Sequence, residues 1–176
     1  MNKSFTALAL CTALFSGSIF AGDPVTINVT GNIISSPCTF DTSASTLNIN
    51  LGDKGAADLA TAGAEMPYKV FSLAMKDCPA GTTKVTATFT GTDDTSSTVG
   101  NGFKNTGTAT NMVVQIKDNA TANWTSSFKS GDSMTVNVNT SDNTAKFDLA
   151  TRAYTPTGSV NPGTINTSIV ADFTYQ

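Results

Sequence analysis

An all-β sandwich is the fold this sequence predicts, and three observations carry the prediction. About eight short segments alternate apolar and polar residues with period two, as strands do when they bury one face. Thirty threonines, with 14 glycines and a single tryptophan, weight the composition towards strands and turns. Turn signals separate the alternating segments at intervals of roughly ten to twenty residues, and no long window carries a helical stripe.

The first alternating stretch is Asp23-Pro-Val-Thr-Ile-Asn-Val-Thr-Gly-Asn-Ile33. Val25, Ile27, Val29, Gly31 and Ile33 share one face; Thr26, Asn28, Thr30 and Asn32 share the other. It has no obvious partner within its own domain. Residues 33–40 continue extended and carry Cys38. A turn at 43–45 leads into Leu47, Ile49 and Leu51, which alternate as a short strand. Residues 52–65, rich in Gly, Ala and Asp, form a loop with a helical turn near 56–60. Residues 68–75 place Phe71, Leu73 and Met75 on one face and run into Cys78-Pro79. Pro79-Ala-Gly81 is a turn by composition, and Val85, Ala87 and Phe89 mark the next strand.

Residues 91–111 are the longest polar stretch and are expected to form a surface loop. A strand at 112–117 follows, then a turn region at 120–127 that holds Trp124. Met134, Val136 and Val138 alternate, as do Phe147, Leu149 and Thr151. Lys146 and Arg152 flank that strand and are expected to face solvent. Thr155-Pro-Thr-Gly158 and Asn161-Pro-Gly163 are turns. The terminal strand is Thr164-Ile-Asn-Thr-Ser-Ile-Val-Ala-Asp-Phe-Thr-Tyr-Gln176, with Ile169, Ala171, Phe173 and Tyr175 on one face. A sheet that ends in mid-strand, behind a loose strand at its front, points to strand exchange between chains.

Residues 1–21 read as a secretory signal: Lys3 supplies the charge, residues 5–15 an apolar run, and Ala21 a small cleavage residue, although Ile19 departs from the small-residue rule. No later stretch approaches the roughly 18 consecutive apolar residues of a membrane helix. About 155 of the 176 residues remain, enough for one domain with a core. The expected division is signal at 1–21, N-terminal extension at 22–33 and domain at 34–176. The formal charge of −3 becomes −4 without Lys3, which disfavours nucleic acid or an anionic membrane as partner. Cys11 departs with the signal. Cys38 and Cys78 are then most simply one disulfide, worth about 4 kcal/mol in the chain-entropy model.

Catalysis has little to work with. The chain has no histidine, and with the cysteines paired the usual nucleophile–base pairs are missing. Asp93-Asp94 is the only adjacent pair of carboxylates and reads as a solvated loop tip. Glu65, the only glutamate, has no acid beside it in the sequence. No metal site or cofactor is expected.

Taken together, three motifs resemble the pilin subunits of bacterial chaperone–usher fimbriae, closest to the minor tip subunits of type 1 fimbriae. They are Val-Thr-Ile-Asn-Val-Thr-Gly-Asn-Ile-Ile ahead of Pro37-Cys38-Thr39, Phe71-Ser-Leu-Ala-Met ahead of Cys78-Pro79, and Gly163 with Tyr175 near the end. The resemblance covers the whole mature chain. It implies an incomplete immunoglobulin-like sandwich that lacks its last strand and leaves a hydrophobic groove beside the terminal strand. A periplasmic chaperone would fill that groove first. At the outer-membrane usher, the extension of the next subunit would then replace it. Chaperone–pilin complementation is itself a standing example of β-augmentation.

On this resemblance Val25, Ile27, Val29, Gly31 and Ile33 are the donor residues. Gly163, Ile165, Ile169, Ala171, Phe173, Tyr175 and Gln176 belong to the acceptor and chaperone-binding side. Burying the four large donor side chains at about 1.5–3 kcal/mol each gives roughly 6–12 kcal/mol of gross stabilisation. Ordering the arm, at about 1–2 kcal/mol per residue, offsets much of it. Gly31 would let the donor pass a crowded point in the groove; a simple bend into the domain is the other reading.

The expected function is therefore a structural, non-enzymatic subunit of a fimbria at the cell surface, polymerising by donor-strand exchange and contributing to adhesion. The alternative is a secreted carbohydrate-binding β-sandwich, for which Trp124 and Tyr154 are the only plausible aromatic platform.

Overall fold

The computed structural model describes residues 26–34 and 36–176, so the signal at 1–21 and the donor residue Val25 lie outside the described residues. The chain divides into two units after Asn32. Before that point, residues 26–32 join no sheet, and Ile27 and Val29 are exposed.

From Ile33 onward the elements are β1 (Thr39–Phe40), a 3-10 turn (Ala56–Leu59), β2 (Lys69–Lys76), β3 (Lys84–Thr90), β4 (Phe103–Lys104) and β5 (Val113–Asp118). A second 3-10 turn (Trp124–Ser126) precedes β6 (Ser133–Asn137), β7 (Ala145–Tyr154) and β8 (Val170–Tyr175). They form two antiparallel sheets, one of five strands in the order β1-β2-β7-β5-β4 and one of three in the order β6-β3-β8.

Alternation sends Phe71, Leu73 and Met75 of β2, with Phe147 and Leu149 of β7, to the inner face of the large sheet. There they meet Val85, Ala87 and Phe89 of β3. Phe89 stacks on Phe128 at 4.9 Å between ring centroids, and Phe173 lies 5.8 Å from Phe40 and 5.7 Å from Phe147. The Cys38–Cys78 disulfide ties the start of β1 to the end of β2.

β7 is the central strand. It pairs with β2 from Lys69↔Thr151 to Met75↔Ala145, and with β5 from Val113↔Tyr154 to Asp118↔Leu149. Beyond Thr151, where β2 has ended, residues 63–66 take over that edge. Met66 N donates to Ala153 O at 2.8 Å, Thr155 N to Ala64 O at 2.9 Å, and Gly63 N to Thr155 O at 2.8 Å.

Four expectations are corrected. Residues 47–51 alternate but join no ladder. Of the terminal stretch, only Val170–Tyr175 and the final Gln176 pair with β3. The half before it leaves the sheet to run beside 105–109, with Thr106 N donating to Asn166 O at 2.7 Å and Ala109 N to Thr164 O at 3.0 Å. That approach needs a glycine at 163, since a Cβ there would lie 2.4 Å from Ala109 N.

The polar stretch 91–111 is no simple surface loop either. It contains β4, whose Phe103 is fully buried, and it folds onto the large sheet closely enough that a Cβ on Gly102 would lie 2.2 Å from Val113 Cγ1. Lastly, Arg152 is buried under that loop and Trp124 instead of facing solvent. Lys146 does face solvent.

Candidate functional site

Between residues 46–54 and 162–173 the sandwich is open. The groove there encloses about 1030 Å3, over a floor that includes Leu59, Met66, Phe71, Leu73, Phe89 and Ile116. Its walls are two unfinished edges. β8 lies at the edge of its sheet and, among the described residues, forms a ladder only with β3. Opposite it, among the described residues, no backbone hydrogen bond joins 47–51 to the rest of the domain. That wall is held at its ends: Thr46 N donates to Ser72 O at 2.9 Å, and Lys54 Nζ to Glu65 O at 2.7 Å. Asp41 shapes the turn leading into it by accepting from Ser43 Oγ and from the amides of Ser43 and Ala44, and these bonds lower its pKa.

Such a pair of edges calls for a strand. Backbone N–H and C=O groups along an unpaired edge template pairing with any extended segment that reaches them. The apolar floor selects a segment with alternating apolar residues. Leu47, on the rim, is 58% exposed and Val170 is 56% exposed.

Gly163, Ile165, Ile169, Ala171 and Phe173 all line the groove. Tyr175 does not line it. It continues the same inward face beyond the groove, its hydroxyl 3.5 Å from Cys38 O, and burial raises the pKa of its phenol. Gln176 closes the end of the sheet, its amide donating to Lys84 O at 3.0 Å and its carbonyl accepting from Lys84 N at 3.0 Å. Among the donor residues, Ile27, Val29 and Ile33 are exposed, and a Cβ on Gly31 would meet nothing within 4 Å. The sequence reading missed the wall at 47–51 and the floor residues Leu59, Met66 and Met112. The alternation of Leu47, Ile49 and Leu51 was the available signal, but alternation reports a face and is silent about whether a partner strand exists.

A second cluster occupies the opposite, outer face of the large sheet. Arg152 Nε donates to Gln115 Oε1 at 2.8 Å, and its Nη1 pairs with Glu65 Oε2. The guanidinium lies 4.4 Å from the Trp124 ring centroid and 5.0 Å from that of Tyr154, a cation–π arrangement. Burial lowers its pKa. Gln115 Nε2 also donates to the carbonyls of Val99 and Asn101 and to Ser127 Oγ. Tyr154 OH accepts from the amides of Thr98 and Val99. Tyr154 is therefore spent inside this cluster at 1% exposure, and no Trp124–Tyr154 platform exists for a sugar. The carboxylates of Asp93 and Asp94 serve loop geometry, accepting from Ser130 N at 2.7 Å and Ser96 N at 2.8 Å.

A two-sheet sandwich with one strand position vacant defines the class: an immunoglobulin-like pilin fold short of its closing strand. The comparisons agree. A family model described as fimbrial protein matches residues 27–176. The chain is 36% identical to the uncharacterized fimbrial-like protein YdeR of Escherichia coli over 100% of its own length and 98% of the relative's. It is also 36% identical to protein FimG of Escherichia coli over 96% and 95% of the two chains. A type I fimbria protein of Burkholderia pseudomallei, 23% identical, superposes with a TM-score of 0.54 over 80% of this chain and 90% of that one, a likeness of fold. The chain belongs to the fimbrial protein family. It is a structural subunit of a fimbria on the cell surface and assembles with neighbouring subunits.

Proposed function

We propose that the groove accepts the N-terminal extension of a neighbouring subunit as its missing strand, and that residues 22–33 of this chain complete the groove of the next. The supporting observation is the pair of unpaired backbone edges, 47–51 and β8, facing each other across an apolar floor. Val25, Ile27, Val29 and Ile33 supply the matching apolar spacing, and Gly31 the point of closest passage. A periplasmic chaperone covers the groove until an outer-membrane usher joins subunits, after a signal at 1–21 has been removed. The division is an extension at 22–33 and a domain at 34–176, within which Cys38–Cys78 ties the start of β1 to the end of β2. The role is structural and non-enzymatic, contributing to adhesion as part of the fibre.

A chain lacking residues 22–33 tests this directly. It should still be captured by the chaperone through its intact groove, yet fail to add to a growing fibre when mixed with full-length chains and usher. Polymerisation of the truncated chain at the full-length rate would remove the donor role.

A further inference from the structure

Glu65 sits on the outer face of the large sheet, yet three contacts make it the point where the floor and one wall of the groove meet. Residues 63–66 run beside the end of β7, and Glu65 bridges Tyr154 in antiparallel register. Alternation therefore sends the Glu65 side chain outward and that of Met66 inward, where Met66 is 4% exposed and forms part of the groove floor. Outside, the carboxylate meets Arg152, whose guanidinium is fixed by Gln115 Oε1 and by the Trp124 and Tyr154 rings. Along the backbone, Glu65 O accepts from Lys54 Nζ at 2.7 Å, and Lys54 is the last residue of the 46–54 wall. Among the described residues 47–51 make no backbone bond to the rest of the domain, so the Lys54 hydrogen bond, beside the packing of Leu51 on the Leu59–Met66 cluster, ties that end of the wall down.

We propose that Glu65 is a positioning residue for strand acceptance: anchored to Arg152 on the outer face, it holds Met66 in the floor and, through Lys54, fixes the end of the 46–54 wall. This rests on the reading of the groove as a strand acceptor. A fixed wall presents its edge at the spacing a strand needs; a released wall must be ordered during capture, which slows association. Neither Glu65 nor Lys54 need touch the incoming strand for this to operate.

The test uses the full chain and a fluorescent synthetic peptide of residues 23–34, with capture followed by anisotropy. Glu65→Gln is expected to slow capture about tenfold and also to lower the thermal midpoint, because it removes the carboxylate partner of Arg152, whose side chain is only 8% exposed. Lys54→Met, which keeps the aliphatic stem, is expected to slow capture to a similar degree. The double variant should be no slower than the slower single one, because both act through one tie. A lowered midpoint with unchanged capture in Glu65→Gln, or additive slowing in the double variant, overturns the proposal. Should Glu65→Gln not fold, unchanged capture by Lys54→Met overturns it alone. A wild-type chain that captures no peptide overturns the acceptor reading, and this inference with it.

Discussion

β7 shows two different ways of treating the faces of one sheet. On its outer side, Arg152 and Tyr154 are enclosed by Gln115, Trp124 and residues 97–101, and every buried side-chain donor and acceptor among the described residues has a partner. On its inner side, Thr151 borders the open groove, where two backbone edges lie unpaired over apolar side chains. The outer face reaches completion with residues of its own chain. The inner face is left needing a strand. The inner side thus carries both the core, through Phe147 and Leu149, and the open groove, and substitutions in the outer cluster and on the groove rim should have separable effects.

The strongest way to break this contrast is Tyr154→Ala. It removes a fully buried ring and the acceptor for two loop amides, and should cost about 3–5 kcal/mol in urea unfolding of the full chain. A cost below about 1 kcal/mol would mean the outer face is not what stabilises the sheet. Gln115→Leu is milder. It leaves the Val99 and Asn101 carbonyls and Ser127 Oγ without their amide donor, for an expected loss of about 1–3 kcal/mol in the same measurement. At the other extreme, Leu47→Asp on the exposed groove rim should change unfolding free energy by no more than about 0.5 kcal/mol. It should nevertheless weaken capture of the 23–34 peptide, since it places a charge beside an apolar docking strand. Loss of stability with capture intact would reverse the assignment of roles.

Much of this arrangement was legible in the residues. β2, β3, β6 and β7 fall where period-two alternation places them, because each is long enough for the pattern to repeat; β5 matches the expected strand 112–117 to within a residue without alternating, since it is buried on both faces. β4 escaped notice because two residues have no period and Phe103 sits amid Gly, Asn and Thr. Arg152 was assigned to the correct face and the wrong environment. Alternation separates inner from outer, but whether the outer face meets water depends on a loop that docks through its backbone carbonyls, and these are the same for every sequence. Alternation also put Ile169, Ala171 and Phe173 on one face, and all three line the groove, as does Ile165, which came from the resemblance. The departure of 161–166 from the sheet was not legible, since it turns on a contact between Gly163 and residues 108–109 far away in the chain.

The disulfide gains a mechanical meaning once subunits are linked end to end. Tension would enter each domain through the extension just ahead of Cys38, where β1 offers only two residues of ladder, Thr39↔Lys76 and Phe40↔Met75, to resist peeling. The covalent bond to Cys78 passes that load past β1 to the end of β2, which lies against the ten-residue β7. A pull entering at Cys38 would thereby reach the long β2–β7 ladder directly as well as through the two pairs of β1.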